Sequence, residues 1–556
     1  MDGISRDLAH EECAPTAKMS RNGELLAQST RRAQWTRRAF MASLAVSAAG
    51  CTTGVRGYIN NGFKVGVNFG RPPTAAADHW IDANDARVRS DYGDDSHWWN
   101  VFNDPVLNNL VTTAYEQNLS LKQAGLRVLE ARYQLGFAKG TLFPQQQDFS
   151  GGYSRRSVSL QNPNAFATPT RYFSIYSLGF NLAWELDFWG RFRRAIEAAD
   201  DNLDASIEAY DAILVTLISD IASNYVAYRT HEQELVYIRT NVGIQQETYD
   251  IALARFNGGQ ATELDVDQAQ SNLSQTRSEI ANREINLRTA SNQLCILLGI
   301  PTEDLTPILG LGPIPTAPKE VALGVPADLV RRRPDVRQAE RIAAAQCAQI
   351  GIAEADFYPA ISILGSVGYS SRNFQDMFSQ LAFTGSIGPQ FQWKILNYNR
   401  IKNNVGFQNA KFEEFVTGYQ NAVLQAHVEV ENGLVKFLWQ QRRAADLAES
   451  VDAAEKAVKV AVTLYKAGAT DFNRVALLQQ NLVTQQILLA LSQGEIAQGL
   501  IEVYKALGGG WQLRMDYEMP GAGQLGEYPT APPAIPQGEP VPAPEPPPEA
   551  PPANNE

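Results

Sequence analysis

The chain has 556 residues, a net charge of −12 and 19% charged residues. An acidic balance argues against nucleic-acid binding, which needs a basic face, and a chain this long is either several domains or one elongated one. Its four cysteines (Cys13, Cys51, Cys295, Cys347) form no CxxC pair, and its five histidines form no HxxxH or HExxH spacing, so neither a disulfide framework nor a metal centre is expected.

The N-terminus reads as an export region over residues 1–50. Arg31, Arg32, Arg37 and Arg38 precede an apolar stretch over 39–50 that ends at Cys51. A positive n-region, a short apolar stretch and small residues before the cut define such a signal. Ala48-Ala49-Gly50-Cys51 resembles a lipobox, with Ala48 in place of the usual branched residue. A covalent lipid on Cys51 is therefore expected, and no other cofactor. Residues 36–41 also fit a twin-arginine motif. That route carries folded proteins, and a lipid-facing barrel should not fold in the cytoplasm, so the arginines are read as a plain n-region. Residues 51–96 then form a lipid-anchored N-terminal segment. No run of about 18 apolar residues follows Cys51, which leaves strands as the way to cross a bilayer.

The remainder is a duplication. Gly179-Phe180-Asn181-Leu182-Ala183-Trp184 returns as Gly388-Pro389-Gln390-Phe391-Gln392-Trp393, and Arg191 returns as Arg400. Arg255-Phe256-Asn257-Gly258-Gly259 returns as Leu464-Tyr465-Lys466-Ala467-Gly468, and Leu298-Gly299 as Leu507-Gly508, all at an offset of 209 residues. The two halves, 97–310 and 311–512, each read helix, strand, strand, long helix, helix.

In the first half, Tyr176, Leu178, Phe180, Leu182, Trp184, Leu186 and Phe188 alternate with Ser177, Gly179, Asn181, Ala183, Glu185 and Asp187. A period of two puts the large apolar groups on one face. Thirteen such residues exceed an ordinary strand of about 5–6 residues and suit a bilayer-spanning one, which needs about 9–11. The counterpart runs over 383–395, weakened at Pro389, which cannot donate to a ladder. The partner strands are 149–155 and 361–370. Four strands cannot close a barrel, and open edges are not tolerated in hydrocarbon. Other copies must complete it. Two would give eight strands and a lumen filled by side chains, three would give twelve and room to conduct.

Each strand pair leads into a helix too long for a globule. The chain is free of proline over 170–300 and again over 390–519. Residues 191–256 read as one helix of about 100 Å at 1.5 Å per residue, repeated over 400–466. Ile213, Val215, Leu217, Ile221, Tyr225 and Val226 mark an apolar face on the first, and Val423, Leu424, Val428, Val430 and Leu434 on the second. The hairpin turns fall at 256–262 and 465–471, where Gly259 and Gly468 permit the positive φ of such a turn. Residues 513–556 differ in kind: thirteen prolines lie between Pro520 and Glu556, the composition of an extended tail without a core.

Five motifs in order carry a resemblance across roughly 97–512. They are Trp98-Trp99-Asn100-Val101-Phe102-Asn103-Asp104-Pro105, Trp184-Glu185-Leu186-Asp187-Phe188-Trp189-Gly190-Arg191, Arg332-Arg333-Pro334-Asp335-Val336 with Ala339-Glu340, Phe357-Tyr358-Pro359, and Leu507-Gly508-Gly509-Gly510-Trp511. The chain resembles the TolC-like outer-membrane factor family, in particular its NodT-type efflux lipoproteins. The resemblance implies an α+β membrane protein: a homotrimer whose twelve-strand transmembrane β-barrel, four strands per chain, continues into a long periplasmic α-helical barrel. It implies a passive duct of the outer membrane, docked to a periplasmic adaptor and to an inner-membrane pump of the resistance-nodulation-division class. The matching gate positions are Asp265 and Tyr465, with Arg474 as an alternative partner. Thr470 and Arg474 stand where TolC has an arginine and a lumen-facing aspartate, so an acidic ring is not carried over. Gly258, Gly259, Gly468 and Asp471 would lie against the adaptor.

No catalytic constellation is present: no GxSxG with spaced His and Asp, and no Walker A motif. The competing readings are a type I protein-secretion duct of the same fold and a structural coiled coil that does not conduct.

Overall fold

A computed structural model describes residues 55–74, 79–89, 91, 95–159, 171–324 and 332–518. The export region, Cys51 and the proline-rich stretch beyond residue 518 lie outside these. The chain divides into two units, residues 1–511 and 512–556; in the second, Leu513–Glu518 is helical. No helix among the described residues is long and apolar enough to cross a membrane.

In the first unit a short helix, Val55–Asn60, precedes α1, Pro105–Gln117. Pro105 at the first helical position and Asp104 as N-cap explain the start: the carboxylate accepts from the amides of Val106 and Leu107 at 2.9 and 3.3 Å. Asn118 then caps α2, Leu119–Gly140, and donates to the carbonyl of Leu297 at 2.8 Å. After β1 (Gln146–Ser157) and β2 (Tyr172–Leu186) come the long α3 (Arg191–Asn257) and α4 (Glu263–Leu298). The second half repeats this as α5 (Pro334–Ala355), β3 (Ala360–Ser371), β4 (Phe383–Gln392), α6 (Arg400–Lys466) and α7 (Phe472–Ala506). The helices α3 and α6 are each 67 residues and unbroken.

The four strands form one antiparallel sheet in the order β1-β2-β3-β4. The register carries the expected alternation through the middle of the sheet, while Leu364, Ile175 and Phe173 fall on the otherwise polar face. Phe149 pairs with Phe180 and Phe180 with Val367, while Gly151, Leu178, Tyr369 and Phe383 line up one step along. The intervening rows are polar or small: Ser150, Gly179 and Gly368, then Asp148, Asn181, Ser366 and Ser386. Pro389 lies opposite Ile363 in β4, an edge strand, where a missing donor costs least. The strand β4 ends at Gln392, short of the expected 395. Among the described residues, β1 and β4 each have one side without a strand neighbour.

The helices pack around α3, which meets α2, α4, α5 and α7, and around α6, which meets α5 and α7. Val215, Leu217, Ile221, Tyr225 and Val226 are buried as expected, and Ile213 is half-buried. On α6 the expectation needs correction. Val423, Val430 and Leu434 are buried, but Leu424 and Val428 are exposed and continue into exposed Val435 and Trp439. This helix has two apolar faces, and the described residues of the chain cover only one. A second uncovered stripe, Leu126, Leu129, Tyr133 and Phe137, runs along α2.

An N-terminal strap runs from the start of α3 onto the second-half helices. Arg194, almost fully buried, donates to the carbonyls of Val65 and Gly66 at 3.1 and 2.9 Å. Arg71 pairs with Glu340, Gln420 donates to the Pro73 carbonyl, and Arg87 donates to the Leu438 carbonyl. Val88 and Arg89 form a short parallel bridge with Val321 and Ala322.

Candidate functional site: the paired hairpin tips

Both long helices end in the same turn. After α3, Gly259 takes φ +71°, its amide donates to the Phe256 carbonyl at 2.9 Å, and the Gln260 amide donates to the Arg255 carbonyl at 2.8 Å. After α6, Gly468 takes φ +76°, its amide donates to the Tyr465 carbonyl at 3.0 Å, and the Ala469 amide donates to the Leu464 carbonyl at 2.9 Å. This is the left-handed glycine stop with its nested pair of bonds. Gly258 has φ −84°, a conformation open to any residue.

The return helices begin on caps. Thr262 and Asp265 form a capping box at the start of α4, each side chain taking the other's backbone amide at 3.4 Å. Asp471 caps α7 by accepting from the Arg474 amide at 2.9 Å. The Arg474 side chain is exposed. Asp265 and Arg474 thus each sit in the first turn of a return helix, one in each half.

Tyr465 is 1% exposed, packed with Ala252, Ala269, Ala461, Phe472 and Val475, its ring edge-on to Phe472 at 5.5 Å. Its hydroxyl has no hydrogen-bond partner among the described residues. The structure therefore does not join Asp265 to Tyr465 by a hydrogen bond. Burial pushes the phenol pKa above its ordinary value, the nearby Asp265 charge adds to this, and Arg255 opposes it.

Arg255 is what the two tips share. Its Nη1 donates to the Tyr465 carbonyl, its Nη2 donates to the Gln260 carbonyl at 3.2 Å, and its guanidinium carbon stands 4.6 Å from the Tyr465 ring centroid. Lys466 adds a bond to Glu247 at 2.9 Å. Sequence reading placed Arg255 in the repeat without assigning it a role. The available signal was its mismatch with Leu464, a charge where the other half has an aliphatic residue.

Behind the tips runs a buried polar seam. Gln479 donates to Thr248 at 2.9 Å and accepts from Asn272 at 3.2 Å; Asn241 donates to Gln486 at 2.6 Å, and Gln486 donates to Glu455 at 2.9 Å. Gln245 lies between these pairs with neither amide atom bonded among the described residues.

Comparison with known proteins matches this duplicated architecture half by half. The family model described as outer membrane efflux protein matches residues 110–300 and 325–509. Nodulation protein T of Rhizobium leguminosarum bv. viciae is 31% identical over 417 residues, 75% of this chain and 84% of that protein. The solvent efflux pump outer membrane protein SrpC of Pseudomonas putida is 28% identical over 418 residues, 74% of this chain and 87% of that protein. The solved outer-membrane channel OprN is similar with a TM-score of 0.74 at 28% identity, covering 81% of this chain and 99% of that one. The chain belongs to the outer membrane efflux protein family, and is a transport component rather than an enzyme.

Proposed function

We propose that three copies of this chain close a twelve-strand barrel in the outer membrane and form the passive exit duct of a tripartite efflux system for small molecules. The observation that carries this reading is the sheet: an apolar face spanning four strands, each edge strand lacking a neighbour on one side among the described residues. In hydrocarbon those edges must pair with another copy, β1 of one against β4 of the next. The uncovered stripes on α2 and α6 support the same head-to-tail contact. They are two different patches of one chain, as a heterologous ring requires.

The lipid on Cys51 fits this placement. The helix Val55–Asn60 holds Tyr58, whose hydroxyl donates to the Phe188 carbonyl at 2.6 Å and whose ring lies 5.7 Å from Trp189, just beyond the end of β2. Four residues reach at most about 14 Å, which keeps the anchor close to the membrane-facing sheet. The hairpin tips are the gate, with Asp265 and Arg474 in the first turns of the return helices and Tyr465 packed behind them. The turns at Gly258, Gly259, Gly468 and Asp471 receive the adaptor. Exposed Leu253, Phe256, Leu264, Leu464 and Leu477 supply apolar surface for it. The adaptor links the duct to an inner-membrane pump of the resistance-nodulation-division class. SrpC, named for a solvent efflux pump, supports small organic cargo.

Single-particle imaging of the detergent-extracted protein tests the assembly, and planar-bilayer recording tests the duct. A three-fold particle with a barrel at one end and discrete conductance steps are expected. A compact monomer, or a rod that does not conduct, overturns the reading. Mass spectrometry of the mature N-terminus tests the anchor: an unlipidated Cys51 removes it.

A further inference from the structure

Arg255 sits in the last turn of α3, yet its bonds leave that helix. One guanidinium reaches the Tyr465 carbonyl in the last turn of α6 and the Gln260 carbonyl in the first hairpin turn, and it covers the Tyr465 ring. The end of a helix has unpaired carbonyls and the negative pole of the helix dipole. A cation shared by two such ends, and stacked on an aromatic face, is favoured on three counts. Gly468 leaves the space: a Cβ there would stand 3.4 Å from Nη2 of Arg255.

The arrangement is not repeated. The position matching Arg255 is Leu464, 42% exposed, and the position matching buried Tyr465 is Phe256, 40% exposed. Each chain therefore clamps its own two tips together, and its repeat-related position offers a neighbouring copy no second clamp of this kind. The Tyr465 hydroxyl has no partner among the described residues, and Asp265 is engaged in the α4 cap. What holds the tyrosine is its ring and its carbonyl.

We propose that Arg255 is the positioning residue of the resting gate: it fastens the α3–α4 tip to the α6–α7 tip within one chain and so keeps the constriction closed. This rests on the reading of the tips as the gate. Removing the guanidinium loosens the two hairpin ends, which keep the Lys466–Glu247 pair and the apolar packing around Tyr465, while removing the phenolic hydroxyl changes nothing the clamp uses.

The test records the full-length lipidated assembly in planar bilayers as wild type, Arg255→Ala, Arg255→Lys, Arg255→Met and Tyr465→Phe. Loss of one charge-assisted contact is expected to raise the open-to-closed ratio roughly tenfold. Arg255→Lys restores part of the closed state, and Tyr465→Phe, which keeps both the ring and the carbonyl that Arg255 uses, opens far less than Arg255→Ala. Arg255→Met keeps the stem packed and decides the matter if the alanine variant does not assemble. A parallel Ala469→Cys series, labelled with a bulky maleimide, asks whether the tips constrict at all; Cys295 and Cys347 are buried. Label that lowers conductance, with Arg255 variants recording as wild type, leaves the gate in place and overturns the clamp. Label without effect overturns the gate reading and the clamp with it. Opening by Tyr465→Phe to the extent of Arg255→Ala assigns the closure to the hydroxyl and also overturns the clamp.

Discussion

The hydroxyl of Tyr225 donates to Oδ2 of Asp104 across 2.7 Å, tying the middle of α3 to the cap of α1. Arg229, buried beside it, donates to the same hydroxyl at 3.1 Å and to the Leu309 and Gly310 carbonyls at 2.6 and 2.8 Å. Asp104→Ala removes a cap and an acceptor at once and should cost about 2–3 kcal/mol. Asp104→Asn, which still caps, should cost less. Thermal unfolding of the extracted protein ranks the two. The buried phenol has its pKa pushed up to about 12, by burial first and then by the bond to Asp104. The neutral form is favoured in the fold, so this stability is fully present below the ordinary 10 and is lost as pH rises through about 12. Tyr225→Phe should show a shallower alkaline loss.

Gln245 offers the opposite case. It is 2% exposed with both amide atoms unbonded among the described residues, between Asn241 and Thr248, which are bonded to α7. Gln245→Leu removes two unsatisfied polar atoms at nearly constant volume and should stabilise by roughly 1–2 kcal/mol. Gln486→Leu takes the acceptor from one Asn241 N–H, the other staying on the Tyr237 carbonyl, and the donor from Glu455, and should destabilise by roughly 1–2 kcal/mol. Melting midpoints of opposite sign are the expected result.

Asp201 on α3 has its carboxyl pushed from the ordinary 3.8 up to about 6, by burial first, with Asp204 and Asp200 adding and Arg341 opposing. The charged form is disfavoured in the fold. The associated stability is present below pH 3.8 and lost as pH rises through about 6. Asp201→Asn should therefore match wild type near the lower limit and exceed it above the upper one, read as midpoint against pH.

The two tip glycines should differ when replaced. Alanine at Gly259 or Gly468 must adopt a positive φ, at roughly 1 kcal/mol each. At Gly259 nothing lies within 4 Å, whereas at Gly468 the new Cβ meets Arg255. Both should lower the melting point, but only Gly468→Ala should also raise resting conductance. Gly258→Ala, at negative φ, should do neither.

Much of this architecture was readable because it rests on short-range periodicity. The alternation from Tyr176 to Leu186 fixed a face, and the 209-residue offset fixed a duplication. The ends of α3 and α6 were written in Gly259 and Gly468. Leu424 and Val428 were misplaced for a physical reason: periodicity marks an apolar stripe but does not say whether the same chain or another covers it. The capping box is legible in Thr262 and Asp265, three residues apart, and it engages the same acid that the family resemblance assigns to the gate. The Arg255–Tyr465 clamp joins helix ends from separate halves and leaves no local pattern.

The equal 67-residue spans of α3 and α6 make length a quantity written twice in the same chain. Each helix starts on a left-handed residue, Gly190 at φ +80° or Asn399 at φ +65°, below a common sheet. Inserting one residue in only one of them would shift its tip by about 1.5 Å and rotate it by about 100°. Arg255 would then face a different side of α6. The reach of the tip can therefore change only by paired edits, a whole number of turns in both halves together, so the duplication acts as a tolerance gauge on every insertion or deletion.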